Sequence, residues 1–181
     1  IRKISHERIR DELCKMLTGP APARAVKSME KSGLLRQVLP ELDRPERAVR
    51  TLSRIEIFEM KAPADELTRG IAARLRDVEP GELRESALAY PLFLLDAGTP
   101  FASPELPLAV LLCETGGNPG EIRDRARKIC AGLRFSDRSA KKTAELAASH
   151  RMVFEAERMS IADLKRFLRK PVLEDLLKLH C

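Results

Sequence analysis

The 181-residue chain has no tryptophan and one tyrosine, Tyr90, and its aromatic content is only 4%. Stacking of bases on aromatic side chains can therefore have only a minor part in what it does, and its core must be built from Leu, Ile, Val and Ala. Histidine is as scarce: His6, His150 and His180 stand far apart, too few to converge on an ion that takes several imidazole ligands. The four cysteines, Cys14, Cys113, Cys130 and Cys181, form no C-x-x-C pair. With apolar neighbours they read as reduced, mostly buried thiols of a cytoplasmic protein. There is no Walker A loop and no dinucleotide glycine fingerprint. Leu106–Cys113, the longest apolar candidate, is too short to cross a bilayer, and no signal peptide is visible, so no membrane partner is expected. Alternating β-branched runs and hairpin signals are missing too. What remains is an all-α fold of roughly nine to eleven helices.

The first of these carries Ile4, Ile9, Leu13 and Leu17 at helical spacing with Met16 beside them. Glu7, Arg8, Arg10, Asp11, Glu12 and Lys15 cover the rest of its surface. Ala25, Val26 and Met29 form the inner side of a second helix, and Gly33 stands where the exit needs a left-handed residue. Asp43-Arg44-Pro45-Glu46 reads as the next start, with Asp as cap and Pro in the first turn. Val49, Leu52, Ile55 and Phe58 then form a stripe. Further helices are expected around Leu67, Ile71 and Leu75, and from Glu82 into Tyr90–Leu95. That last run is apolar nearly all round, expected at the centre of the core, and is kinked or restarted by Pro91.

Ser103-Pro104-Glu105 opens a short apolar helix to Cys113. Asn118-Pro119-Gly120-Glu121 has the pattern of a capping box, with Ile122, Ala126, Ile129, Cys130 and Leu133 on the inner face that follows. Ser136 starts another helix, with Ala140, Thr143, Ala144 and Ala147 inward. Ser160-Ile161-Ala162-Asp163 resembles a capping box with Asp in place of Glu, and Pro171 reads as the start of the last helix.

The formal net charge is +6, which permits a polyanionic partner without requiring one. Its distribution is uneven. Residues 1–40 hold nine Lys/Arg against four acids, and residues 120–142 hold eight against three. Arg8, Arg10, Lys15, Lys27 and Lys31 in the first stretch, and Arg123, Arg127, Lys128, Arg134, Arg138, Lys141 and Lys142 in the second, are the candidate RNA-contacting cations. Either cluster is equally readable as a solvated helix face.

The run Ser5-x-Glu7-Arg8-Ile9-x-x-Glu12-Leu13, with Gly33-Leu34-Leu35 and Leu39-Pro40-Glu41-Leu42 after it, resembles the segment behind the catalytic head of class II tRNA nucleotidyltransferases (CCA-adding enzymes) and bacterial poly(A) polymerases. Phe93–Pro100 resembles the L-L-H-D-x-G-K-P segment of an HD phosphohydrolase body. Asp96, Gly98 and Pro100 match it, while Leu95 and Thr99 stand where that pattern has His and Lys. Ala126–Ser136 with the helix to His150, and Leu164–Leu179, resemble later helices of the same body. The likeness divides the chain into 1–61, a neck and RNA-binding segment, and 62–181, a degenerate HD-like body and the start of a tail.

The resemblance implies an RNA-binding part that positions a tRNA or another RNA 3′ end for a catalytic head of the same protein. That head would use ATP or CTP with magnesium. Its G-S and D-x-D motifs are absent from this chain, so no catalytic residue, metal ligand or cofactor is assigned here, and the chain is expected to be inactive alone. It begins with Ile rather than Met, as a piece of a longer protein would. Glu7, Arg8 and Glu12 would brace the head–neck junction; as plain helix-surface pairs they would contribute only about 0.2–0.5 kcal/mol each. Asp96 reads as a turn or cap residue rather than an ion ligand. Two other readings remain: a helical protein-interaction module derived from an HD body, and a residual phosphohydrolase. The sequence does not choose among CCA, CC, A or poly(A) addition.

Overall fold

A computed structural model describes residues 4–61 and 101–179. Among the described residues the chain is all-α: ten α-helices, one 3-10 turn and no strand. The expected helices between Leu67 and Leu95, the Phe93–Pro100 segment with Asp96 and the residues beyond the 61/62 division up to Pro100 lie outside the described residues, as do His180 and Cys181.

Helix α1 (His6–Leu17) begins where the Ser5 hydroxyl accepts from the Arg8 amide at 3.3 Å, one of the first-turn donors that a helix leaves unpaired. Leu13 and Leu17 are buried, whereas Ile9 and Met16 are only half-buried and Ile4 is exposed. The expected stripe is thus shorter at its front, because Ile4 precedes the helix. Helix α2 (Pro22–Lys31) starts on a proline and buries Ala23, Val26 and Met29. Gly33 follows at φ 73°, the conformation that favours glycine. It opens not a plain exit but a further five-residue helix, α3 (Leu34–Val38). Helix α4 (Pro45–Lys61) buries Ala48, Leu52 and Ile55. Its first-turn amides at Arg47 and Ala48 point to the carbonyl of Arg44, so Arg44 and not Asp43 occupies the cap position.

The centre of the described core is α5 (Glu105–Cys113), where every residue from Leu106 to Leu112 is buried. It has no polar face and must be enclosed. Helix α4 packs on one side and α7 (Asp137–Ser149) on another, while α6 (Pro119–Gly132) packs on both α5 and α7. The capping box at Asn118 and Glu121 is complete, with both reciprocal bonds present at 3.0 and 3.1 Å. Ser136 caps α7. Helix α8 (Met152–Glu155) runs into a 3-10 turn, Ala156–Arg158, and then α9 (Ile161–Leu168) and α10 (Leu173–Lys178) close the described chain.

At α9 the box is half-made. The Ser160 hydroxyl accepts from the Asp163 amide at 3.1 Å, and the Asp163 carboxylate takes the Ser160 hydroxyl rather than its amide. The Asp side chain is one methylene shorter than the Glu of a complete box. Pro171 lies in a turn two residues ahead of α10. The buried side chains form one continuous cluster, from Leu13 on α1 to Leu179.

One buried and one half-buried polar group sharpen this picture. Among the described residues Thr143 Oγ1, on α7, is buried with no hydrogen-bond partner. Such a hydroxyl costs more than an apolar group of the same shape, so Thr143→Val should raise stability by about 1 kcal/mol, measurable as a higher urea midpoint at unchanged m. A drop in the midpoint would show that the hydroxyl is satisfied in solution. Burial also pushes the His150 imidazole below its ordinary 6.5, outweighing the bond its Nδ1 donates to the Ala147 carbonyl at 2.7 Å. The unfolded chain therefore takes up that proton first as pH falls through 6.5, and stability should be full above that value and decline below it. Thermal melts at pH 7.5 and 5.5 should show the loss, and His150→Gln should lack that step.

Candidate nucleic-acid interface

Helices α6 and α7 form an antiparallel pair joined by a tight link. Their register is marked by one ion pair: Arg123 Nη2, near the start of α6, reaches Glu145 Oε2, near the end of α7, at 3.2 Å. Each further turn moves forward on α6 and back on α7. On that register Arg127 falls opposite Lys141, and Arg138 falls one turn nearer the link that carries Arg134. Arg127, Arg134, Arg138 and Lys141 are exposed, as is Lys128 one position round α6. Among the described residues none of these five has a carboxylate within ion-pair distance, whereas Arg123 pairs with Glu145 and Lys142 Nζ pairs with Asp175 on α10 at 2.8 Å.

Glu145 also takes Lys170 Nζ at 2.5 Å and the Ser149 hydroxyl at 3.0 Å. Burial pushes its carboxyl upward, but these donors together with Arg123 outweigh that and hold it below the ordinary carboxylate value. It stays ionised and commits Arg123 and Lys170 to the fold, as Asp175 does Lys142.

The structure brings the two basic segments of the sequence together at one point. Arg134 follows α6 in the left-handed region, φ 60°, where its carbonyl turns outward and accepts from Arg10 Nη1 on α1 at 2.6 Å. The same guanidinium bonds the neighbouring Asp11 carboxylate at 2.7 and 2.9 Å. Arg10 is therefore a clasp between α1 and the α6–α7 link, half-buried and occupied. One turn along from each partner stand Cys14 and Cys130. Burial raises both thiols, Cys130 to about 12, as expected of packing cysteines.

Other candidates fall elsewhere. Lys27 and Lys31 are exposed and one turn apart on α2, which packs on α1, α3 and α4; they form a separate row. Lys15 pairs with Glu12 on the surface at 2.9 Å. Arg8 points away from Arg10, to the other side of α1. There it and Glu12 rim an open groove of about 210 Å³ walled by Ile4, Ile9 and Met16, Met29, and Leu34 and Val38. Glu7 is exposed and does not line that groove, so the expected trio is split.

Sequence reasoning assigned Arg125 no role. Its guanidinium donates to the Thr115 and Gly116 carbonyls and fastens the turn before α6. The groove was also missed; the signal for it was Leu34, an apolar residue just past Gly33 that no expected stripe used. Among the described residues no three His, Cys, Asp or Glu side chains group as ion ligands, and no helix is long and apolar enough to cross a membrane.

Residues 1–46, which carry α1, α2, α3 and the start of α4, match the family described as "Probable RNA and SrmB-binding site of polymerase A". No curated protein and no solved structure matches the chain.

Arg134 holds a conformation that a side-chain-bearing residue adopts at a cost of roughly 1–2 kcal/mol, against a smaller entropic cost for glycine. Arg134→Gly should therefore stabilise the fold by about 0.5–1 kcal/mol, since the carbonyl that Arg10 needs is retained. Thermal unfolding of the two chains decides the sign.

Proposed function

We propose that this chain binds RNA along the α6–α7 face and holds the body of a tRNA or similar RNA, so that its 3′ end reaches a nucleotide-adding catalytic head of the same protein. The observation that carries the reading is the group Arg127, Lys128, Arg134, Arg138 and Lys141, exposed on a rigid helix pair with no carboxylate within ion-pair distance among the described residues. The clasp through Arg10 ties that face to the segment that matches an RNA-binding family. Cations spaced by helix geometry suit a phosphate backbone, which presents charge at regular intervals. The lack of tryptophan and the single tyrosine argue against splayed single-stranded bases and for recognition of backbone and shape.

The nucleotide and its magnesium would be handled by the head, and no residue of this chain is assigned to them. The α2 row, Lys27 and Lys31, extends the same reading if the RNA continues past α1. The family's description names a protein as well as RNA, and the groove on the far side of α1 is where a protein-interaction role attaches.

Fluorescence anisotropy with a labelled tRNA tests this directly. Binding should weaken by about 50- to 500-fold between 50 and 200 mM salt if four or five phosphates are contacted. The triple variant Arg127→Glu, Arg138→Glu, Lys141→Glu should lose at least about tenfold in affinity at low salt. Reversing Arg8, Lys27 and Lys31 instead should also weaken binding if the RNA reaches the front of the molecule. Unchanged affinity in the first triple variant would sink the assignment of the α6–α7 face.

A further inference from the structure

We infer that the cavity where α4, the end of α5 and α8 meet is a binding site for one nucleotide, whose base lies against Phe154 and whose phosphate meets Arg54. The inference goes beyond the RNA reading of the α6–α7 face and does not depend on it.

The cavity measures about 290 Å³, near the lower end of small-molecule sites, which run from roughly 300 to 1,000 Å³. Its walls come from separate parts of the chain. Thr51 and Arg54 belong to α4, Glu114 follows α5, His150 follows α7 and Phe154 belongs to α8. Phe154 is 65% exposed, the most open large apolar side chain among the described residues. A ring so placed offers a flat apolar surface to a base. One ring serves one base and not a strand, which agrees with the shortage of aromatics in the chain.

Charge selects an anion. Among the described residues no carboxylate lies within ion-pair distance of Arg54, nor of Arg44, Arg47 or Arg151. Burial pushes the Glu114 carboxyl above its ordinary value, and Arg47, Arg44 and Arg151 draw it down without cancelling that. Four arginines thus stand at or near the cavity against two carboxylates, Glu46 and Glu114. The base edge is chosen by acceptors. His150 Nδ1 donates to the Ala147 carbonyl at 2.7 Å, so in the neutral ring Nε2 is an acceptor. The Glu114 carboxyl and the Thr51 hydroxyl oxygen are acceptors as well. A base with an exocyclic amino group presents a donor to such a wall, whereas uracil has a carbonyl oxygen in that place. An apolar helix is a poor occupant, because the cavity is small and charged groups share its wall.

Titration calorimetry on the whole chain with AMP, adenosine, UMP and a trinucleotide of adenylate tests the site. AMP should bind more tightly than adenosine or UMP. Phe154→Ala, at an exposed position that leaves the helical circular dichroism unchanged, should weaken AMP binding by about five- to 150-fold. Arg54→Gln should cost AMP about tenfold and leave adenosine nearly as it was. Glu114→Gln, which keeps the side-chain shape, should narrow the preference for AMP over UMP. Binding of AMP marks a site for the free nucleotide; binding of the trinucleotide alone, lost in Phe154→Ala, marks a site for one nucleotide of an RNA, and either result supports the inference. No binding of AMP or the trinucleotide at about 1 mM, or binding unchanged in both the Phe154→Ala and Arg54→Gln chains, overturns it. The triple variant Arg127→Glu, Arg138→Glu, Lys141→Glu should keep AMP binding, so failure of the α6–α7 reading leaves this one standing.

Discussion

Helix α5 imposes its requirement on everything around it. A helix with a wet face can sit at the edge of a bundle; Leu106–Leu112 has none. Each fully buried leucine is worth about 1.5–3 kcal/mol relative to exposure, so the surrounding helices must turn an apolar stripe towards it. Leu52 and Ile55 of α4 do this, as do Ala144 and Ala147 of α7. The small residues of α7 let that helix approach closely. Enclosure then dictates where polar ends meet. The Ser139 hydroxyl donates to Glu105 at 2.8 Å, so the start of α7 lies beside the start of α5. Burial pushes the Glu105 carboxyl upward, but the Ser103 and Ser139 hydroxyls outweigh it and keep the carboxyl below its usual value. With those ends placed, the α6–α7 link comes up against α1, and the Arg10 clasp becomes possible.

The parts of this arrangement legible in the sequence are those decided within one helical turn. Asn118 and Ser136 are caps because a hydroxyl or amide oxygen three residues before an unpaired amide can reach it. Ile122, Ala126 and Ile129 are inward because their spacing leaves them no other face. The helix α3 was not legible: five residues show too little periodicity, and Gly33 read as an ending rather than a hinge between two helices. Position Asp43 looked like a cap by residue type, but Pro45 at the first helical position fixes the preceding residue, Arg44, in that place. The bond between Arg10 and Arg134 joins residues 124 apart, and no local pattern carries it.

The same limit governs the charges. A count of Lys and Arg in residues 120–142 does not tell Arg123 from Arg127, yet Glu145 accepts only the first. That difference comes from the helix register, which depends on how α6 and α7 both pack on α5. The pairing has a physical sense beyond cohesion. A cation bonded to a carboxylate has already lost most of its field at a phosphate, while an unpaired one on the same helix keeps it. Glu145, by taking Arg123 and Lys170 together, leaves the positive potential concentrated nearer the link, where Arg134, Arg138 and Lys141 stand.

Helix α1 then stands between the groove and the basic α6–α7 face. Arg8 and Arg10 are two residues apart, about 200° around the helix axis, so one faces the groove and the other the α6–α7 link. A ligand on the basic face meets Arg10 already engaged with Arg134 and Asp11, and gains little from it directly. What Arg10 contributes is position: it holds α1 against the link, and α1 in turn forms one wall of the groove. Leu13 and Leu17, buried between these two sides, make the helix a rigid partition rather than a flexible edge. Occupation of one surface therefore leaves the other geometrically free. Any coupling between them has to pass through the packing of α1 itself, and among the described residues the polar contact that could carry it is the bond from Arg10 to the carbonyl of Arg134.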